Sequence, residues 1–181
     1  MLTKSEIASR LETMCSDLCV YVQALSFERF IEQPVEEWSA AGYLMHLILS
    51  VKAVAKGFQT SPNALERLFG RAAAPSRSYD TLTPIYQAAL NAGANAPASM
   101  TPVNYRVPDD VTDLQAYLVG EWLKGNERLV ATLDSWPEAD LDSYILPHPL
   151  MGNFTLREML YFTLYHNQYH LRDIQRVTGA E

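Results

Sequence analysis

Two of the chain's four histidines stand four residues apart near its C-terminal end, in YHNQYHLRD (165–173). Side chains at i and i+4 share one face of an α-helix, about 6 Å apart, so His166 and His170 can turn imidazole nitrogens toward a single metal ion. Met159, Thr163, His166, His170, Ile174 and Val177 form one stripe, which sets both imidazoles on the seam where apolar residues are expected. Histidines on a seam need partners. A third candidate is His46. Projected at about 100° per residue, it falls in an arc with Ser39, Gly42, Tyr43, Leu49, Ser50, Ala53 and Gly57, while Lys52 and Lys56 fall on the opposite edge. That small, uncharged arc places His46 in the interior. It leaves either room for a ligand or close contact with another helix.

Three neutral imidazoles would leave a divalent ion its full charge and at least one open position, for water or substrate. Such an ion lowers the pKa of a bound water or thiol, or polarises a carbonyl or epoxide oxygen. The H-E-x-x-H arrangement of zinc peptidases is absent, because Asn167 and Gln168 follow His166, so a peptidase would lack its general base. Glu121 is the carboxylate best placed to serve instead, on the inward side of its helix with Leu114, Leu118 and Gly125. A salt bridge, with Arg128 seven residues on as the candidate partner, is its expected role. Tyr43 and Tyr169 adjoin the histidines as hydrogen-bonding candidates, with core packing the default. His148, in LPHPLMG, reads as a turn residue that orders the start of the last helix, at the end of the molecule away from the other three histidines, and is left out of the ligand set.

Helices must position these groups. Thr3 with Glu6 forms a capping box and Leu2 with Ile7 a hydrophobic staple, so a helix is expected to start at residue 3. The apolar steps Leu11, Met14, Leu18, Tyr21 and Leu25 carry it to near residue 32, ahead of Pro34. Ser39 caps a second helix that lasts to about Phe58. Residues 61 to 110 hold six of the ten prolines and read as a crossover, with short helices at 63–69 and 82–92. A third long helix is expected over about 112–135, facing inward with Leu114, Leu118, Trp122, Leu129 and Leu133, and stopping before Pro137. Thr155 and Glu158 repeat the capping box, with Phe154 and Met159 as staple, to begin a last helix running to about Val177.

No repeat or strand-like alternation competes, so the expected fold class is all-α: one four-helix-bundle domain over 1–181, with 60–110 as its crossover. The short 33–38 link makes helices one and two antiparallel, and a crossover of about fifty residues leaves helices two and three parallel, giving an up-down-down-up order. Axial level supplies an independent check. His46 lies about 10 Å from the start of its helix and His170 about 12 Å from the end of its own, at about 1.5 Å per residue. In this order those two ends coincide. Three interior histidines at one level point to a metal site, with hydrogen-bonded core histidines as the alternative.

Composition narrows the partners. The chain has 181 residues, 48% of them hydrophobic, and a formal charge of −7 without a lysine or arginine cluster, so it can bury a sizeable core and is a poor nucleic-acid ligand. The N-terminal stretch lacks the apolar core of a secretory signal, and no run of about 18 uncharged apolar residues offers a membrane span, so a cytoplasmic location is expected. Cys15 and Cys19, at helical spacing, read as small buried hydrophobes rather than a disulfide or metal pair.

The segments WSAAGYLMHLILSVKAVAKGF (38–58) and HPLMGNFTLREMLYFTLYHNQYHLRDIQ (148–175) together resemble the DinB/YfiT-like superfamily of metalloenzymes. They carry an isolated histidine on helix two, an H-P turn before the last helix, and H-x-x-x-H on that helix. The resemblance implies a four-helix bundle, often a homodimer, with His46, His166 and His170 holding a divalent ion such as zinc or nickel. Two functions follow as expectations. One is a metal-dependent enzyme that activates a low-molecular-weight thiol as a transferase, or water as a hydrolase, on a small-molecule substrate. The other is a non-catalytic metal-binding bundle acting through dimerisation or ligand capture.

Overall fold

The structure, a computed structural model, describes residues 1–179. It is mostly helical, with seven α-helices and one two-stranded sheet among the described residues. Both expected capping boxes form. Thr3 Oγ1 accepts from Glu6 N at 3.2 Å while Thr3 N donates to Glu6 Oε2 at 2.7 Å, and Thr155 and Glu158 exchange the same pair. These open α1 (Lys4–Gln23) and α7 (Leu156–Val177). Ser39 accepts from Gly42 N to open α3 (Ala40–Phe58), and Asp113 accepts from Ala116 N to open α6 (Leu114–Leu133).

Three local expectations are corrected. The first helix does not run to residue 32: α1 ends at Gln23, and Ser26 caps a separate short helix, α2 (Phe27–Ile31), by accepting from Arg29 N. A serine side chain that competes for backbone N–H groups ends one helix and starts another, and buried Phe30 anchors the new turn. In the crossover, α4 (Pro62–Phe69) lies close to expectation, but α5 (Tyr79–Asn91) starts three residues early because Ser78 accepts from Thr81 N; Pro84 sits inside it. The chain also has strands. Ahead of α7, β1 (Ile145–His148) pairs antiparallel with β2 (Gly152–Thr155), His148 opposite Gly152, whose φ of 73° suits a glycine at the turn. Four-residue strands, one of them interrupted by proline, are too short to show alternation.

The long helices pack as α3 on α6 and α7, and α1 on the same two, with α5 added outside α7. Side chains tie particular levels together. Lys4 Nζ donates to the Leu133 and Trp136 carbonyls, Gln115 to those of Val22 and Leu25, and Trp122 Nε1 to that of Cys15. Tyr161 meets Leu2 at one end of α7, and Thr178 meets Tyr21 at the other. Trp136 Nε1 donates to Phe58 O. Gly125 lets α6 close on α3, since a Cβ there would stand 2.8 Å from Val51 Cγ1. Cys15 and Cys19 are free and buried, as expected of small core residues.

Candidate metal centre

His46 comes from the second turn of α3, and His166 and His170 from the middle of α7. One ring nitrogen from each lies within 4.8 Å of the other two, and the ring centroids are 4.6 to 4.9 Å apart. His46 and His166 are buried, while His170 keeps 14% of its side chain exposed. Among the described residues no fourth histidine, cysteine or acid joins the group.

The outer nitrogens decide which inner ones are free. His46 Nδ1 lies 2.7 Å from the Met100 carbonyl, which can only accept, so this nitrogen carries the hydrogen. His170 Nδ1 donates in the same way to Asp173 Oδ2 at 2.9 Å. Both rings therefore turn an Nε2 lone pair inward. His46 Nε2 lies 3.0 Å from His166 Nε2, a contact that holds without an ion only if His166 puts its hydrogen there. A divalent cation satisfies the lone pairs together, and tetrahedral zinc with about 2.0 Å bonds needs nitrogens about 3.3 Å apart, within the spread of this cluster. The donor set fits a borderline-soft divalent ion.

Electrostatics agree. Burial, then the neighbouring His170, pushes His46 down to about 4 against the opposing pull of the Met100 carbonyl. Burial holds His166 well below the usual imidazole range, helped by the other three histidines. Neutral imidazole is the form that ligates. Burial alone would raise the Asp173 carboxyl, but hydrogen bonds from His170 and Arg176 outweigh it and keep it ionised. Arg176 in turn bridges Asp173 Oδ1 at 3.0 Å to Glu37 Oε1 at 2.8 Å, on the segment leading into α3. The carboxylate–histidine pair is the usual outer support of a metal-binding imidazole.

The cluster opens on a cavity of about 780 Å³ that extends along α3 and α7 to the hairpin. The small arc of α3 leaves room along the cavity, and the close contact it makes at Gly57 is with a strand rather than the expected helix. Ser50 and Ala53 face the cavity, whereas Gly57 admits the hairpin, since a Cβ there would stand 2.8 Å from Leu146 Cδ1. Lys56 was expected on the opposite edge of α3 but borders the cavity. Tyr43, 5.4 Å from the His170 ring, lines the wall with its hydroxyl pushed up to about 12 by burial and by Asp173 and Glu37. Tyr169 stands beside His170 at 5.2 Å.

The remaining candidates sort clearly. Glu121 is held by Lys52 at 2.6 Å and Lys124 at 3.1 Å, not by Arg128, and lies outside the cavity as a salt-bridge residue. Asn167 is buried but does not line the cavity, and Gln168 is exposed, so neither replaces the missing peptidase base. His148 does order the turn: its Nδ1 accepts from Leu150 N and Met151 N, each at 3.2 Å. It is not remote from the site, however. Its ring packs 4.3 Å from Phe162, which itself lies 4.9 Å from His166, and it lines the same cavity. Asp173 and the Met100 carbonyl were missed from sequence. Asp173 had a signal, being three residues after His170 on the same helix, whereas a backbone carbonyl from the crossover had none.

The protein is thus mostly helical, with three histidines converging on a buried seam in a cluster that could hold a metal ion. The chain matches the DinB superfamily over residues 5–174 and belongs to that family. No curated protein matches the sequence closely enough to count as a relative.

Proposed function

We propose that this DinB-superfamily protein is a metal-dependent enzyme in which His46, His166 and His170 hold one divalent ion, zinc or nickel, to activate a thiol as a transferase or water as a hydrolase. One observation carries the reading: the outer nitrogens of His46 and His170 are committed to oxygen acceptors, so their inner lone pairs converge with His166 beside an open cavity. Bound there, the ion supplies Lewis acidity, which lowers the pKa of a thiol or water. The chain's own residues do the rest. Met100 and Asp173 orient two of the rings, and Arg176 anchors Asp173. The cavity volume lies in the range of small-molecule sites, which favours catalysis over a sealed structural ion.

The reading takes the four long helices as one up-down-down-up bundle over the single domain 1–181. The ties between Lys4 and Leu133, Gln115 and Val22, Tyr161 and Leu2, and Trp136 and Phe58 support it. It includes a homodimer, on family resemblance alone, a cytoplasmic location, on the absence of a signal-like apolar core or membrane-span run in the sequence, and no nucleic-acid partner, given the formal charge of −7. No helix among the described residues is long and apolar enough to cross a membrane.

Metal content tests the assignment. The wild type reloaded with zinc or nickel is expected to bind about one ion per chain, and His170→Ala to lose most of it, since two imidazoles make a far weaker site. Equal metal in both proteins, measured by plasma mass spectrometry after dialysis, overturns the assignment. Cobalt substitution then separates the functions: sulfur-to-metal bands that saturate with small thiols and vanish in His46→Ala mark the transferase, and a spectrum indifferent to thiols and anions marks a sealed ion.

A further inference from the structure

The cavity wall holds a further buried imidazole, beyond the three that converge. His148 is 5% exposed, and its ring is walled by Phe162 at 4.3 Å, Phe154 at 5.0 Å and Tyr86 at 5.9 Å. Two backbone N–H groups donate to its Nδ1, and a nitrogen that accepts cannot carry the hydrogen, so the turn fixes the tautomer with hydrogen on Nε2. Nε2 has no protein partner among the described residues and is not one of the sealed-off polar atoms, so it opens on the cavity that the residue lines. The result is a fixed hydrogen-bond donor on an aromatic floor, separated from the histidine cluster by one phenyl ring, that of Phe162, 4.9 Å from His166.

We propose that His148 is a specificity-determining residue: its Nε2–H takes a neutral oxygen acceptor, of the carbonyl type, on a largely apolar or aromatic molecule whose other end reaches His46, His166 and His170. This rests on the reading of the cavity as a substrate site. A neutral acceptor is the class that fits, because uncharged Phe154, Phe162 and Tyr86 wall the imidazole while Lys56 and Arg176, the cations that line the cavity, are exposed to solvent, and an unpaired ion among the rings is costly. Aromatic walls suit a flat apolar body, and Leu146, Leu150 and Leu90 extend the same lining. A site built to donate to an oxygen discriminates against the analogue that lacks it, since the donor is otherwise left unpaired.

Acetophenone and ethylbenzene, which differ only in a carbonyl replaced by a methylene, probe the donor directly. NMR titration of the zinc-loaded wild type is expected to show acetophenone binding about three- to tenfold more tightly, the range of one neutral hydrogen bond. In His148→Phe, which keeps the ring and removes the donor, the two affinities are expected to agree within about twofold. Nitrogen-15-labelled histidine in the wild type gives a readout that needs no variant: the His148 Nε2 resonance moves on saturation with acetophenone and stays in place with ethylbenzene. Equal affinities in the wild type, an unmoved resonance, or a preference that survives His148→Phe each overturn the proposal and leave a solvated turn histidine. Metal content measured on the same samples keeps the two readings apart. A lost preference with one ion per chain fails only the His148 assignment, and a His148-dependent preference without metal fails only the metal assignment.

Discussion

Two stretches of α7 bury charged and polar side chains, and they resolve them in opposite ways. At its start, Arg157 sends Nε and Nη2 to the Asp142 carboxylate at 2.7 and 2.9 Å, Nη1 to the Leu2 carbonyl at 2.8 Å, and Nη2 to the Glu138 carbonyl at 3.1 Å. Glu158 beside it accepts from Arg77 and from Thr155 N. Donors meet acceptors throughout, and nothing is left for a ligand. Further along the helix the groups do not close in this way: inward lone pairs of His46 and His170 converge with His166, and the outward hydrogens are already used. A buried polar cluster that closes on itself holds a fold together, and one left open toward its centre keeps capacity for a ligand.

Acid separates the two clusters most strongly. His46 and His148, each held near 4 by burial, lie below the ordinary 6.5, so the unfolded chain takes up protons first. Stability of the metal-free protein is therefore whole above about pH 6.5 and falls as pH drops toward 4, by up to about 3 kcal/mol per histidine. Asp142 and Glu158 are lowered too, but by a different cause: burial raises them, and hydrogen bonds from Arg157 and Ser76, and from Arg77 and Thr155, prevail and lower both. Their contribution is present above their unfolded values and is lost only as pH falls below about 4. Urea denaturation from pH 8 to 3 is expected to show two windows, with His148→Phe flattening only the upper one. A stability curve flat between 6.5 and 4.5 would show that the histidines are not held neutral by burial.

Arg157→Leu attacks the closed cluster. It strands the partners of a residue that is 3% exposed, and because Asp142 and Glu138 keep some access to water, the cost is expected near the lower limit for a broken buried pair, about 3 kcal/mol. Metal bound per folded chain is expected to stay the same. If metal is lost along with stability, the two clusters on α7 are coupled and the contrast drawn between them fails.

Asp173→Asn attacks the open cluster at one remove. The amide keeps the shape but not the charge that orients His170 and raises its basicity, so metal affinity is expected to fall about 10- to 100-fold. Competition against a chromophoric chelator reads this directly, and the metal-free stability serves as the control. Unchanged affinity would reduce Asp173 to the Arg176 partner that it also is.

The sequence displayed what is local. Thr3 with Glu6 and Thr155 with Glu158 are four-residue patterns, and each caps its helix as such patterns do. The spacing of His166 and His170, and the uncharged arc around His46, likewise follow from helix geometry, and the structure brings the three together. What stayed hidden depends on elements distant in sequence. The break at Ser26 is the exception, a local cap that follows directly on the apolar stripe ending at Leu25. The hairpin that carries His148 back along the cavity involves strands of four residues, and its turn could be placed at an end of the molecule but not seen to share a cavity with the cluster. Met100 reaches His46 from the proline-rich crossover through a backbone carbonyl, which no residue type announces.

Glu121 supplies the finest test, since reasoning from one helix alone gave it a sensible role and the wrong partner. Lys52 reaches it from α3, and with Lys124 it holds the carboxyl below the usual range against partial burial. Lys52 is 40% exposed and Lys124 73% exposed, so water screens both pairs. Glu121→Gln is therefore expected to cost about 1 kcal/mol or less and to leave metal content unchanged. Since Val51, next to Lys52, closes on Gly125 in the same α3–α6 contact, the packing there does not depend on the charge. Arg128→Ala is expected to change stability by less than Lys52→Ala, which distinguishes the partner seen in the structure from the one suggested by spacing. A loss of metal in Glu121→Gln would carry the open site across to α6, and the division between closed and open polar clusters would have to be redrawn around it.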